Sequence, residues 1–290
     1  MMKRRTLISL CAAGALALTL TACSGGGSDD QDTSGAGSIS HIHGVEIGPA
    51  DGKLYVATHN GIYTPDKNGH PALVGDRKDD FMGFTVAGKG RFLASGHPAP
   101  DRDAPANLGL IESTDSGRSW KDKSLVGEVD FHSLVVAHDT IYGYDSTNGL
   151  LRVSKDGGDS WDSRSRLTAL DIAVSPDDPK TVLATTESGI SRSTDGGESF
   201  GPGSGPRHAF LSWTPGNVLY GVDIKGKLSV SDDGGKGWRP AGTLPGGAPQ
   251  ALTALDGKRL IAASQDGVYE SQDGGRTFTR RLDVTSGGDH

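Results

Sequence analysis

One eight-residue pattern, Ser-x-Asp-x-Gly-x-(Ser/Thr/Gly)-(Trp/Phe), recurs five times in this chain. Its copies run Ser113–Trp120, Ser154–Trp161, Ser193–Phe200, Ser231–Trp238 and Ser271–Phe278. The central aspartates Asp115, Asp156, Asp195, Asp233 and Asp273 are 41, 39, 38 and 40 residues apart. Self-similarity at a fixed period of this size marks an architecture of packed repeats, in which no unit can bury its apolar surface alone.

The residues between the copies follow one grammar. A short inner strand (His43–Ile47, Leu170–Val174) precedes a turn rich in Gly, Pro and Asp. A small apolar strand follows (from Leu54, Val182 and Leu260), then a Gly-containing turn and a third strand (from Gly61, Gly149, Gly189 and Gly267). The Asp-containing turn leads to a fourth strand, expected to begin at the aromatic residue. Four short strands with such turns make one antiparallel meander. Units start near His41, Asp80, Asp130, Leu170, His208 and Gln250, and Thr64–Gly69 is a degenerate copy of the turn in the first. No helical period appears after residue 40. Six meanders packed radially bury both faces and leave only short edges. The expected fold is all-β: a six-bladed β-propeller of four-stranded antiparallel blades. The aspartate suits its turn because its carboxylate accepts backbone N–H groups further along, and the following Gly permits positive φ.

These five motifs resemble Asp boxes, also called BNR repeats, and the resemblance covers nearly all of 41–278. The family includes sialidases, sortilin-type receptors, a photosystem II assembly factor and bacterial lipoproteins labelled sialidase-like or glycosyl hydrolase; this chain looks most like the last group. The resemblance implies that Asp115, Asp156, Asp195, Asp233 and Asp273 are structural and lie away from the ligand site. It also implies a glycosidase as the enzymatic reading. Sialidases carry an Arg-Ile-Pro type motif near the start of the domain, and this chain has none; Arg77, Arg102, Arg166 and Arg207 lie in no sialidase-like context. WD-repeat propellers fit less well, since Trp161-Asp162 is a single pair. No Gly-x-Ser-x-Gly elbow and no phosphate loop is present.

Ahead of the repeats, Lys3, Arg4 and Arg5 precede an apolar run from Leu7 to Leu20, too short to span a bilayer comfortably. It ends in Leu20-Thr21-Ala22-Cys23, which resembles a bacterial lipobox and implies cleavage before Cys23 and lipidation of its thiol. Residues 1–22 are read as a lipoprotein signal peptide, 23–40 as the lipidated cysteine and a Gly/Ser/Asp-rich flexible tether, and 41–290 as the propeller. The expected location is the cell envelope, on the extracytoplasmic side of a bacterial membrane, with the lipid as membrane contact. Cys11, the other cysteine, lies within the removed segment, which excludes cysteine chemistry in the domain. Without the leader, 26 cations stand against 36 carboxylates, a net charge of −10. This argues against a nucleic-acid partner. A monomer is expected.

Propeller topology sorts the remaining polar residues. Inner-strand starts and the loops between second and third strands share one face, and the Asp-containing turns occupy the other. The first face collects His41, His43, His59, His97, His132 and His208, with Asp80, Asp130, Asp145 and Glu187. The Pro/Asp-rich loop from Gly96 to Leu108 is placed to overhang it. His41 and His43 are two apart on a strand and point the same way. Imidazoles beside carboxylates suit Zn²⁺ or Cu²⁺, so His41, His43, His59, His97 and His132 are the candidate ligand or metal residues. The competing reading is a wet channel lined by hydrogen-bonded histidines. For glycoside hydrolysis, which needs two flanking carboxyl groups, Asp80, Asp130, Asp145 and Glu187 are the candidates. The ligand expected on this face is a glycan, a metal or an envelope protein, and a non-catalytic envelope scaffold is the third reading.

Overall fold

The computed structural model describes Ile39 and residues 41–284. The expected signal peptide, Cys23 and all of the expected tether but Ile39 lie outside the described residues, as does His290; Ile39, expected in the tether, is instead fully buried in the core, so the packed domain begins before residue 41. The rest forms the six-bladed β-propeller that the repeat demands. Blade one comprises β1 (Ile42–Ile47), β2 (Leu54–Thr58), β3 (Gly61–Pro65) and β4 (Pro71–Leu73). Blade two comprises β5 (Asp80–Gly88), β6 (Arg91–His97), β7 (Leu110–Ser113) and β8 (Lys121–Ser124). Blade three comprises β9 (Phe131–Ala137), β10 (Thr140–Asp145), β11 (Leu150–Ser154) and β12 (Asp162–Arg166). Blade four has β13 (Ile172–Val174), β14 (Val182–Thr186) and β15 (Gly189–Ser193). Blade five has β16 (Phe210–Trp213), β17 (Leu219–Val222), β18 (Lys227–Ser231) and β19 (Arg239–Thr243). Blade six has β20 (Pro249–Ala254), β21 (Leu260–Ser264), β22 (Gly267–Ser271) and β23 (Thr279–Asp283).

Blade four departs from the expected pattern. Its fourth strand shrinks to a single bridge, Ile190 to Ser204. The segment after Phe200 reads GPGSGPR, and Pro202 and Pro206 have no N–H to give to a ladder. Elsewhere the fourth strand starts one residue after the aromatic, at Lys121, Asp162, Arg239 and Thr279.

The core is divided among the junctions between blades. Six apolar clusters are found, one at each junction, including one that joins blade six to blade one through Ile39, Ile42, Val45, Val56, Ala251 and Ile261. The second strands sit in the middle of this packing, and every residue of β2 and β21 is buried. In each junction, burying one Phe, Leu or Ile contributes roughly 1.5–3 kcal/mol.

The Ser-x-Asp turns fasten the blades. In the turn after β15, Ser193 Oγ donates to Asp195 Oδ1 (2.6 Å) and accepts Gly197 N–H (2.8 Å), while Asp195 Oδ1 accepts Ser199 N–H (3.1 Å). The same contacts recur around Asp115, Asp156, Asp233 and Asp273. Asp66 in the degenerate turn still accepts Asn68 and His70 N–H groups. The second Gly touches the preceding blade. Gly158 has φ +98°, and a Cβ there would lie 2.4 Å from Leu110 of blade two; Gly275 has φ +87°, and a Cβ would lie 2.0 Å from Leu228 of blade five. Only Gly satisfies both the conformation and the close approach.

Candidate histidine and carboxylate site

Three side chains from two blades meet at one point on the face opposite these turns. His43 comes from β1, His59 from the β2–β3 turn and Asp80 from the start of β5. Their ligand atoms all lie within 4.8 Å of one another. His43 Nε2 is 3.3 Å from His59 Nδ1 and 3.5 Å from Asp80 Oδ1, and His59 Nδ1 is 2.9 Å from Asp80 Oδ2. A tetrahedral zinc site with bonds of about 2.1 Å has ligand–ligand edges of about 3.4 Å. The edge between the two imidazoles has this length, and Asp80 approaches the two rings through different oxygens, Oδ1 toward His43 and Oδ2 toward His59. Burial, then the neighbouring imidazoles of His59, His41 and His132, push the His43 ring down to about 3, with Asp130 opposing. At neutral pH His43 is therefore a neutral imidazole, the form that binds a metal. Three protein ligands leave a coordination position open, as in catalytic and exchangeable zinc sites.

His41 takes a different role from the expected one. The amide of Gln250 is oriented by Ile42 N–H, which donates to its Oε1 (3.1 Å), so its Nε2 donates to His41 Nδ1 (3.0 Å). This fixes the His41 tautomer with hydrogen on Nε2. His41 packs 4.9 Å from the His43 ring and 5.4 Å from that of His59. It supplies a hydrogen-bond donor beside the cluster, not a lone pair for a metal. Burial, then His59, lowers its pKa against the pull of Asp80.

A second group adjoins the first. Asp130 is 3% exposed and receives His132 Nε2 at 2.7 Å, His97 Nε2 at 3.4 Å and Ser146 Oγ at 3.2 Å, all on Oδ2. Burial works against its ionisation, but the hydrogen bond and charge of His132, with His97 and Ser146, hold its carboxyl below the usual range. His43 of the first group and His132 of the second both line the central cavity, and His43 feels the charges of His132 and Asp130.

The other expected carboxylates are not part of this assembly. Asp145 is fully buried and spent on its own turn: Oδ1 accepts Asn148 N–H, and Oδ2 accepts Asn148 Nδ2 and Arg152 Nε. A carboxylate with both oxygens committed is a poor general acid or base. Glu187 is exposed at the β14–β15 turn, and among the described residues no hydrogen bond or ion pair joins it to the histidines. His208 lies beneath the face. It is 5% exposed, packs 4.5 Å from the Trp238 ring, and neither ring nitrogen has a partner. Arg77 and Arg102 both grip buried Asp79, whose Oδ1 also accepts Ala99 N–H. Asp79 thus pins the Gly96–Leu108 loop beside the site.

Two acidic residues not anticipated as functional line the central cavity of about 290 Å³ with Thr85, His132, Ser133 and Thr253. Desolvation pushes the Glu46 carboxyl up to about 8 and that of Asp171 to about 6. Asp171 accepts Ser133 Oγ of blade three (2.7 Å) and Leu211 N–H of blade five (2.9 Å), so it ties three blades together. A carboxylate next to the apolar residues of an inner strand was the available signal for both: Glu46 between Val45 and Ile47, and Asp171 directly before β13.

Fold and site together define a β-propeller with a face equipped to bind ligands. No protein-family model matches the chain, and no curated protein matches it. Solved structures do. A GH74 enzyme from Niastella koreensis is similar at 16% identity and a TM-score of 0.61, over 86% of this chain and 46% of that one. A GH74 xyloglucanase from Xanthomonas campestris is similar at 17% and 0.56, over 85% and 45%. YCF48 bound to D1 peptide is similar at 17% and 0.52, over 86% and 85%. The chain spans less than half the length of the GH74 chains. These likenesses carry the propeller fold and nothing finer.

Proposed function

We propose that this chain is an Asp-box propeller of the bacterial envelope, anchored through lipidated Cys23, that captures a ligand or partner on its histidine face around a divalent transition-metal ion. His43, His59 and Asp80 hold the ion, Zn²⁺ or Cu²⁺, and His41 donates a hydrogen bond to whatever occupies the open position. The observation that carries this reading is the convergence of the three ligand atoms within 4.8 Å. Imidazole and carboxylate donors without thiolate or thioether suit these ions. The test is metal analysis of untagged protein after equilibration with Zn²⁺ or Cu²⁺ and gel filtration. Bound ion is expected in the parent protein and not in His43→Ala; an ion-free parent overturns the metal reading. Cys23→Ser is expected to release the protein from membranes in cell fractionation.

The glycosidase reading draws on Asp80 and Asp130, each in contact with histidines of this face, and on a fold shared with GH74 enzymes. Its weakness is that both carboxylates are engaged by histidines while Asp145 is committed elsewhere. Turnover of a panel of aryl glycosides by the parent, lost in Asp80→Ala, would establish it. Capture of an envelope protein by crosslinking on intact cells, unaffected by chelator or by His43→Ala, would favour the scaffold reading.

A further inference from the structure

The central cavity of about 290 Å³ holds polar groups that the fold does not use. Its volume falls just below the roughly 300–1,000 Å³ of small-molecule pockets, so its occupant is small. Glu46 of β1 lines it, and among the described residues neither a hydrogen bond nor an opposite charge reaches the Glu46 carboxyl. Thr85 of β5, in the next blade, is 7% exposed and lines the same cavity, and its hydroxyl has no partner among the described residues. Protonation does not resolve Glu46, because its O–H would also have no protein acceptor. Asp171 leads into blade four, which stands opposite blade one in a ring of six. Its two oxygens accept Ser133 Oγ–H and Leu211 N–H and keep further lone pairs. Desolvation raises both carboxyls, and neither feels the charge of the other. They therefore stand too far apart to share one small cation. The one grouping of three or more acidic or imidazole ligands close enough for that, among the described residues, is His43, His59 and Asp80. Two separated carboxyls in one cavity call for two cationic groups joined by a spacer, and Leu134, Ala173 and Leu252 in the wall offer that spacer apolar surface.

We propose that the central cavity binds a linear aliphatic diamine, with one ammonium group on Glu46 and Thr85 and the other on Asp171. An ammonium has three donors and no acceptor, so the Glu46 carboxylate and the Thr85 oxygen satisfy two of them. The inner strands are sheet edges, and the carbonyls on their unpaired side serve the rest. Each bound charge offsets the desolvation that its carboxylate suffers. A monoamine satisfies one end alone. The site shares no ligand with the His43–His59–Asp80 centre and does not depend on a metal there.

Isothermal titration of the untagged full chain at neutral pH, in the presence of a chelator, tests this. The probes are diaminobutane, diaminopentane and diaminohexane, compared with n-butylamine. One diamine per chain is expected at the best-fitting length, bound at least about tenfold more tightly than n-butylamine. Glu46→Gln is expected to remove that advantage; it breaks no contact within the protein, so the variant folds, which circular dichroism checks. Asp171→Asn is expected to act in the same way, and Glu46→Gln decides alone if loss of the Asp171 carboxylate loosens the blades it ties. No binding of any diamine overturns the proposal and leaves a water-filled channel. A diamine that binds no more tightly than n-butylamine, or equally well to Glu46→Gln, also overturns it. Because the chelator removes Zn²⁺ throughout, failure here leaves the metal reading standing, and failure of the metal reading leaves this one standing.

Discussion

Replacing His208 with Phe should make the protein's stability less sensitive to acid. His208 is a core aromatic in all but name. In blade three, Phe131 packs 4.7 Å from Trp161 and covers Gly143; in blade five, His208 packs 4.5 Å from Trp238 and covers Gly221. The fold thus already accommodates Phe at the equivalent position. Burial, partly offset by Asp223, pushes the His208 ring down to about 4 from an ordinary 6.5. Between these values the folded protein binds fewer protons than the unfolded chain, so stability present above pH 6.5 is lost as the pH falls toward 4. For a single group with these two values, the loss between pH 7 and pH 4.5 is about 2.5 kcal/mol. The two unpartnered ring nitrogens cost a further 1–3 kcal/mol or so at any pH. Urea unfolding followed by tryptophan fluorescence, at pH 7 and pH 4.5, is the assay. At pH 7, His208→Phe is expected to match or exceed the parent. Between the two pH values it is expected to lose about 2.5 kcal/mol less than the parent. His208→Leu should show the same reduced slope, since a packing difference is constant with pH. Parallel pH profiles for parent and both variants would refute the reasoning, because His208 would then be solvated or hydrogen-bonded in solution.

Gly275→Ala should cost roughly 2–4 kcal/mol in urea unfolding, since it combines a left-handed backbone with a Cβ driven into Leu228. Ser193→Ala should cost about 1–3 kcal/mol, because the Gly197 N–H loses its acceptor in a buried turn. Asp145→Asn should cost about 3–5 kcal/mol by leaving the Arg152 guanidinium, 16% exposed, without its counter-charge. If Asp145 were catalytic instead, stability would hold while any activity disappeared. Adding Zn²⁺ at a hundred times its dissociation constant should raise the unfolding free energy by about 2.7 kcal/mol; chelator should reverse the gain and His43→Ala abolish it.

The period of the Ser-x-Asp turns made blade number, order and the two faces legible, because a turn that depends on Gly and Asp side chains is written locally. Face assignment followed from topology, and it put His43, His59 and Asp80 among the residues of one face; that these three meet at a point came only from the structure. It could not tell which side of a strand a side chain takes, so His208 counted with the face although it fills a core position. Nor could it show how a polar atom is spent. Asp145 and Asp130 look alike in sequence, yet the first is consumed by Asn148 and Arg152 and the second keeps an oxygen free. The role of His41 depends on Gln250, which lies 209 positions away and meets it only when the ring closes. Blade four's lost strand was readable in Pro202 and Pro206, but the strength of the repeat pattern masked it.

Each blade is built from one continuous stretch of chain, and among the described residues no strand is exchanged between the first blade and the last. The ring is buttoned rather than woven shut: Gln250 reaches Ile42 and His41, Thr253 donates to the Val45 carbonyl (2.6 Å), and Ile39 is buried in the cluster beneath. Pulling on the two ends of the propeller should therefore peel it open at this junction before any blade unravels. The first button to slip is attached to His41, at the edge of the histidine cluster, so occupancy of the cluster would be felt as resistance to that force.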